Sequence, residues 1–533
     1  MKNYKKILAV AIASAAVVTA GVSIPAVSNA AKAETATTTT SKSNKKSAAG
    51  KNDSNSNKSS SGKFNSGNNS QPGQPPQGNG QTPPEKPSGD NSAPGSQNSN
   101  SSNSSNSNSS NSNSNGQPSQ PPQGNGNQPG GNGGSQPGGS QTKVTYKSAT
   151  TFKKSATTKG KTYTSKKSGQ NAVTATGKKV KVTLKNATIK KSGSSSGGDS
   201  DNFYGTNSAA LAKSGAVLTI KNSTIKATAN GANGTFAYGG GSSKGNGSTI
   251  KISNSKITTT GNNAGGIMTA GGGKTYATNL TVHTSGTSSA AIRSDRGGGT
   301  VRVNKGTYTT TGVGSPAIYC TSDTAVKNAK LVSKASEGIV IEGKNSVKLT
   351  NTSLTANNTK LNGQAKTYQS VMLYQSMSGD SENGTAKFSA TGGSITNKHG
   401  SVFYVTNTTA NISLNHVKIT NSAKGNVLLK VAAGSWGNSG SNGGKVTFTA
   451  NRQKLSGKIT VDKVSSLTLK LTNKSTFKGT INSKKQTGTV KVTVNKGCTW
   501  TLTGDSYVTS LTNHGRINTN GHTLYVNGVA YKG

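Results

Sequence analysis

A short unit that recurs at changing intervals constrains the fold of this 533-residue chain more than any other feature. The unit reads apolar-x-apolar-x-Asn-x-x-apolar, and copies begin at Val182, Leu218 and Ile250. Other copies fill the Asn position with Asn279, Lys305, Asn328, Asn351, Gly392 and His416. Each copy predicts two short strands joined at a bend, because apolar residues alternate on both sides of the Asn. We expect this Asn to point inward and to hydrogen-bond to its copies in adjacent turns.

A second unit, small-small-apolar, lies between copies of the first. Its apolar centres are Ile267, Ile292, Ile318, Ile339, Val371, Val402 and Val427, at spacings of 25, 26, 21, 32, 31 and 25 residues. Two patterns that interleave in constant order predict stacked turns with loops of variable length at fixed corners. We therefore predict an all-β chain that forms a right-handed parallel β-helix. A β-sandwich is the alternative, but it would not repeat one side-chain pattern in register every ~25 residues.

The N-terminal region has a different character. Residues 1–33 combine Lys2, Lys5 and Lys6 with an apolar run and small-x-small sites, which is typical of a secretory signal peptide. A membrane anchor is the alternative, although the run is short and rich in Ala, Ser and Thr. Residues 34–143 are dominated by Ser, Asn, Gly, Pro and Gln, which predicts a disordered linker. The β-helix is expected over 144–533, with more regular turns and a cap in 444–533.

The positive charge belongs mainly to the predicted β-helix. The chain has 62 basic and 14 acidic residues, and 50 of the bases and ten of the acids follow residue 143. Only five bases are Arg, so the surface suits diffuse attraction of anionic polymers better than shape-specific recognition. The expected partners are cell-wall anionic polymers and host or microbial glycans, with nucleic acid only incidental. The alternative is a charge that serves solubility alone.

Two cysteines, Cys320 and Cys498, test the continuity of the solenoid. They lie about eight turns apart if a turn takes ~20–25 residues, which at ~4.8 Å per turn separates them by close to 40 Å. A disulfide requires Cα atoms within about 7 Å. The sequence therefore predicts two buried, unpaired thiols.

The strand-Asn-strand units, the segment from Ala290 to Gly297, and the closing segment from Trp500 to Gly528 resemble right-handed β-helix surface proteins of Gram-positive bacteria. These are related in architecture to pectate lyases and autotransporter-type adhesins. The resemblance covers most of 170–530. It implies the fold, and it leaves activity open because this architecture includes lyases, hydrolases and adhesins.

Catalysis would require carboxylates beside a base. Arg293, Asp295, Arg296 and Glu342 form the strongest candidate set, because alternation places Arg293 and Asp295 on the same outward face as Glu342, two turns away. Ordinary surface ion pairing is the alternative. The five His residues are scattered and suggest no metal site. No cofactor is expected, and calcium would enter only if the protein were a lyase.

The residues that follow the apolar centres form a predicted outward column. Its members are Met268, Arg293, Tyr319, Val340, Met372, Phe403 and Leu428. Most are large and apolar, so the column is either covered by loops or exposed as a strip that binds sugar rings or a protein partner.

These observations favour a secreted protein without a transmembrane anchor, which is held non-covalently at the cell wall. We expect a non-catalytic adhesin or carbohydrate-binding scaffold. A polysaccharide lyase or hydrolase acting on acidic glycans is the alternative. An ice-binding surface is disfavoured because Lys interrupts the Thr-rich strands.

Overall fold

The computed structural model describes residues 144–195, 198–242, 244–363 and 365–532. The expected signal peptide (1–33) and linker (34–143) lie outside the described residues. The described residues form stacked parallel strands, which confirms the all-β fold and the parallel β-helix. No helix among them has the length and apolar character needed for a transmembrane span.

One sheet runs along the entire solenoid and contains 15 strands, all of them parallel to their neighbours. With strands numbered in chain order, its members are β1 Lys147–Phe152, β4 Gln170–Thr176, β7 Ala210–Lys213, β10 Thr235–Tyr238, β13 Ile267–Ala270, β15 Ile292–Ser294, β17 Ile318–Cys320, β20 Ile339–Glu342, β23 Gln369–Tyr374, β26 Ser401–Thr406, β29 Val427–Val431, β31 Lys454–Val461, β33 Thr476–Ile481, β35 Thr499–Thr501 and β38 Arg516–Asn518. We call it the 15-stranded sheet.

A second sheet of 22 strands forms the remaining sides and consists of two rows that meet at a bend. The first row contains β2 Ala156–Lys159, β5 Lys181–Lys185, β8 Val217–Lys221, β11 Thr249–Ser253, β18 Asp323–Lys327, β21 Ser346–Thr350, β24 Thr385–Thr391, β27 Thr408–Asn415, β30 Gly444–Asn451, β32 Ser466–Thr472, β34 Thr489–Val494 and β37 Ser510–Asn513. The second row contains β3 Thr162–Ser165, β6 Thr188–Lys191, β9 Thr224–Ala227, β12 Lys256–Thr259, β19 Lys330–Ser333, β22 Ser353–Ala356, β25 Ser394–Asn397 and β28 Lys418–Asn421. Two long strands, β14 Gly273–Thr284 and β16 Gly299–Thr310, span both rows. We call it the 22-stranded sheet.

The C-terminal end has fewer strands in each turn and finishes with a small third sheet. After β28 the second row stops, so each later turn contributes two strands instead of three. A small sheet then forms from β36 Ser506–Val508, β39 Leu524–Val526 and β40 Val529–Ala530. Its last pair is antiparallel, the only such pairing among the described strands.

The interior is built from stacked copies of the same apolar position. Ile267, Ile292, Ile318, Ile339 and Val371 occupy one register position in five successive strands, and each is at most 1% exposed. This confirms the first five centres of the small-small-apolar unit. The stacking buries apolar area in every turn, which is the main stabilising contribution in such a fold.

The bend between the two rows corrects the expectation about Asn. Asn186, Asn222 and Asn254 are exposed and have positive φ angles of 51°, 50° and 48°. Asn tolerates this left-handed conformation better than most residues, which is why the bend selects it. The predicted inward direction of the Asn side chains is therefore wrong, although the predicted bond between copies is present where Asn279 Nδ2 donates to Asn254 Oδ1 at 2.9 Å in the adjacent turn. The residue after Asn points inward instead, and Ser223 Oγ accepts a hydrogen bond of 3.0 Å from the backbone N–H of Ala187.

Both thiols are free and buried, as predicted. Cys320 ends β17 and Cys498 precedes β35, seven strands further along the 15-stranded sheet. At ~4.8 Å per strand, about 34 Å of stacked turns separates them. The solenoid is therefore continuous between the two cysteines.

Candidate functional site

The sequence-predicted residues Arg293, Asp295 and Arg296 meet on the outer side of the 15-stranded sheet, at the end of β15. Arg293 Nη2 lies 2.9 Å from Asp295 Oδ2, and the two side chains are only 11% and 4% exposed. Asp295 Oδ1 accepts a second hydrogen bond of 3.0 Å from the backbone N–H of Arg296. Arg293 and Asp295 thus lie on one outer side of the strand, as alternation predicts, but both are buried, whereas Arg296 is partly exposed.

Two loops explain why this ion pair is buried. The first loop contains one turn of π-helix at Ser200–Tyr204, where Asn202 Oδ1 accepts a hydrogen bond of 3.2 Å from Arg293 Nη1. Phe203 of the same turn packs under the Arg296 guanidinium, 4.0 Å from the ring centroid. The second loop brings in Asp380, whose Oδ1 accepts a hydrogen bond of 2.8 Å from Arg296 Nε. Both arginines therefore hold covering loops onto the sheet.

Glu342 is the centre of a separate group, two strands away on β20. Its Oε2 accepts a hydrogen bond of 3.0 Å from the Tyr374 hydroxyl and another from the Tyr319 hydroxyl. Its Oε1 accepts one from Ser376 Oγ, in the loop that also contains Asp380. Glu342 is 1% exposed, so the carboxylate is shielded by the hydroxyl groups that bind it.

Burial dominates the electrostatics of both carboxyl groups. It raises the pKa of Asp295 to about 6; the Asp380 carboxylate acts in the same direction, and Arg293 opposes it. Burial also raises the pKa of Glu342, against the lowering effect of the hydroxyl groups of Ser376, Tyr319 and Tyr374. Raised carboxyl pKa values suit general acid–base chemistry only where substrate reaches the group. Here the carboxyl groups of Asp295 and Glu342 contact covering loops. Arg296 is the most exposed of the four candidate residues, with 45% of its side chain accessible.

The predicted outward column is covered in two places, so the exposed binding strip is wrong for its apolar members. Met268 is fully buried in a cluster with Leu211 and Phe236, against which Tyr146 and Tyr238 pack. Val340 and Met372 are 7% and 3% exposed in a cluster completed by Tyr374 and Tyr404, against which Tyr319 and Trp436 pack. Arg293 and Tyr319 are half-buried between these clusters. Covering loops, the alternative interpretation, account for this column.

Phe403 and Leu428 were placed in the outward column in error. Phe403 pairs with Val371, and its ring lies 5.8 Å from those of Phe388 and Phe448 in the main core. Leu428 also belongs to the main core, at an irregularity of β29 between Val427 and Leu429. A shift of one residue exchanges the two faces of a strand, and spacing alone did not fix the register of these two turns. Tyr404 and Lys430 continue the outer column instead.

Sequence reasoning missed the residues that complete this region. Asp380, Tyr374 and Ser376 bind the predicted charges, and Asn202 and Phe203 reach them from a loop about 90 residues earlier in the chain. The spacings of 32 and 31 residues on either side of Val371 were a signal of large loops, although they did not show where those loops fold.

The 22-stranded sheet has a contrasting outer side. Its strands contain one acidic residue, Asp323, which is paired with Arg302, and twenty basic residues. These are Lys159, Lys181, Lys185, Lys190, Lys191, Lys221, Lys226, Lys251, Lys256, Lys274, Arg302, Lys305, Lys327, Lys330, Lys348, Lys387, Lys418, Lys445, Lys470 and Lys491. All but Lys191, Lys274 and Arg302 are exposed. The exposed members define what we call the lysine face.

Within the described residues, no group of three or more His, Cys, Asp or Glu side chains could hold a metal ion. His399, for example, bonds to Asn357 through Nδ1 at 2.9 Å. No protein-family model matches the chain, and comparisons with curated proteins and with solved structures give no match either.

Proposed function

We propose that this chain is a secreted, non-catalytic adhesive β-helix that holds anionic polymers of a cell wall, or anionic glycans, against its lysine face. The observation that carries this proposal is the segregation of charge. Exposed lysines occupy strand after strand of the 22-stranded sheet, with a single acid among them. Neighbouring parallel strands lie ~4.8 Å apart, so the charges form an extended array along the solenoid rather than a compact pocket.

Such an array acts through its summed field. Each lysine is a hydrated point charge that contacts an anionic group without demanding one geometry. Many weak contacts along a polymer add up, whereas a small anion gains little from any one of them. This arrangement favours retention of long polyanions, with low discrimination among carboxylate, phosphate and sulfate polymers.

The test is retention of the full chain on immobilised polyglycerol phosphate and polygalacturonate in a salt gradient. We expect elution at about 0.5–1 M salt, because the Debye length falls towards 3 Å there. Lys251, Lys348 and Lys470, which are exposed on three strands of the lysine face, are changed together to Gln. This triple variant should elute at clearly lower salt.

The matched control changes three exposed lysines that lie in loops, Lys424, Lys484 and Lys496, to Gln. Its net charge equals that of the triple variant on the lysine face. The proposal predicts that the control elutes much closer to the unmodified chain. Equal loss of retention in both variants would show that only net charge matters, and elution below about 0.15 M salt would contradict polymer binding itself.

A polysaccharide lyase or hydrolase using Arg293, Asp295, Arg296 and Glu342 is less well supported. The carboxyl groups of Asp295 and Glu342 are buried and bonded to covering loops. Assay of the full chain for new reducing or unsaturated ends on polygalacturonate tests this directly. Activity that disappears in Asp295→Ala would replace the adhesive proposal with an enzymatic one.

A further inference from the structure

A cleft of about 650 Å³ opens on the outer side of the 15-stranded sheet, away from the candidate catalytic residues. Tyr404 of β26 and Lys430 of β29 form part of its lining. The loop that follows β29 supplies another wall, which includes Trp436. The volume is in the range of small-ligand sites, which runs from about 300 to 1,000 Å³.

The wall that carries Trp436 is held in place by side chains from outside and inside its own loop. Asp462 Oδ2 accepts a hydrogen bond of 2.7 Å from the backbone N–H of Ala433. Asn442 Nδ2 donates to the carbonyl oxygens of Gly434 and Trp436, at 2.9 Å each. The Trp436 ring also packs edge-on against Tyr374, with centroids 5.0 Å apart. A wall fixed in this way does not have to be ordered when a ligand binds, which favours affinity.

Three polar atoms of lining residues are left without a partner. Asn442 Oδ1, Asp462 Oδ1 and Ser435 Oγ are buried and make no hydrogen bond within the part of the chain that the structure describes. Asn442 is only 4% exposed, and its amide nitrogen is already used twice. Solvent does not reach these atoms, so they do not select the ligand, and the lysines and Trp436 are the lining groups that do.

The charge of the cleft is positive. Lys366, Lys430 and Lys463 line it, against one carboxylate, Asp462, that already binds the backbone of Ala433. Lys430 Nζ lies 5.4 Å from the centroid of the Tyr404 ring. Burial lowers the pKa of Lys430, and Asp462 opposes this effect. An anionic group on the ligand would balance the excess of lysines.

We infer that this cleft binds an acidic sugar unit, a pyranose that carries a carboxylate or sulfate. Its C–H face would pack on the aromatic side chain of Trp436, and its acidic group would pair with the lysines that line the cleft. This is a discrete site on a different sheet from the lysine face. It binds a short ligand, whereas the lysine face attracts long polymers of any anionic chemistry.

Trp436 provides the measurement. The chain has two Trp residues, and Trp500 is fully buried in the core, so a ligand-dependent change in emission reports on Trp436. The full chain is titrated with trigalacturonate, with a sulfated trisaccharide, with a neutral trisaccharide of matched length, and with tripolyphosphate. We expect saturable binding of the acidic sugars, and at least tenfold weaker binding of the neutral sugar and of tripolyphosphate.

Two double variants of equal charge locate the site. Lys366→Gln with Lys463→Gln should weaken the binding of trigalacturonate at least tenfold and leave retention on long polyanions nearly unchanged. Lys251→Gln with Lys348→Gln, on the lysine face, should show the reverse. Trp436→Leu should also weaken trigalacturonate binding, and circular dichroism checks that the fold is retained.

The outcomes separate this inference from the adhesive function. Absence of saturable binding by either acidic trisaccharide would overturn the inference even if long polyanions are still retained. If the neutral trisaccharide binds as tightly as trigalacturonate, the ligand does not need an acidic group. If tripolyphosphate binds as tightly as trigalacturonate, the ligand does not need to be a sugar. Trigalacturonate binding that is unchanged in the Lys366/Lys463 variant would overturn the location.

Discussion

The outer sides of the two main sheets follow the same alternation of residues but have opposite surroundings. On the 22-stranded sheet, outward side chains such as Lys251 and Tyr276 are exposed. On the 15-stranded sheet, Phe236 and Met268 also point outward, but they are fully buried. The loop between β6 and β7 and the residues next to β1 cover them. Period-2 alternation therefore separates the two faces of a strand, but it does not separate buried from exposed positions where loops return over the sheet.

The largest expected effect comes from comparing one outward aromatic residue on each sheet. Phe236→Ala should lower the free energy of unfolding by about 3–5 kcal/mol, because it opens a cavity under the covering loop. Tyr276→Ala, at a position that is 41% exposed on the 22-stranded sheet, should change it by less than about 0.5 kcal/mol. Urea denaturation followed by circular dichroism measures both variants. Similar losses of unfolding free energy at the two positions would contradict the distinction between the covered 15-stranded sheet and the exposed 22-stranded sheet.

The second prediction concerns Asp295, the buried carboxylate on the outer side of the 15-stranded sheet. The pKa of Asp295 is raised from 3.8 to about 6, so the folded state binds more protons than the unfolded state between these values. Stability therefore falls as pH rises through this window, by up to about 3 kcal/mol from this group. Asp295→Asn should remove that part of the pH dependence. Urea midpoints at pH 4, 5, 6 and 7 provide the measurement.

A matched control for this variant leaves the titrating group in place. Asn202→Ala removes the hydrogen bond from Arg293 without removing an ionisable side chain. It should shift the stability curve by a similar amount at each pH. If Asp295→Asn and Asn202→Ala give parallel curves, burial of the carboxylate is not the source of the pH dependence.

The smallest effect concerns the bend between the two rows of the 22-stranded sheet. Asn222 has a φ angle of 50°, so Asn222→Val should cost about 1–2 kcal/mol of stability. Asn222→Gly should be close to neutral, because Gly adopts this conformation without steric cost. Urea denaturation distinguishes the two variants. Equal losses would mean that the Asn side chain itself, rather than its backbone conformation, stabilises the bend.

The sequence by itself determined the parallel β-helix, because each turn must bury its own copy of one apolar position. The stack from Ile267 to Val371 and the two isolated thiols follow from that local rule. It also placed Arg293 and Asp295 correctly on one side of one strand. It could not fix the register after two long loops, which is why Phe403 and Leu428 were misplaced.

Only the tertiary structure decided which outward residues meet solvent and which meet each other. The contacts of Asn202 with Arg293 and of Asp380 with Arg296 join residues 91 and 84 positions apart. The cleft beside Trp436 likewise combines side chains from several turns. Strand periodicity is a local property that each segment carries in its own residues. The path of a covering loop depends on contacts with distant strands, and no periodic pattern encodes it.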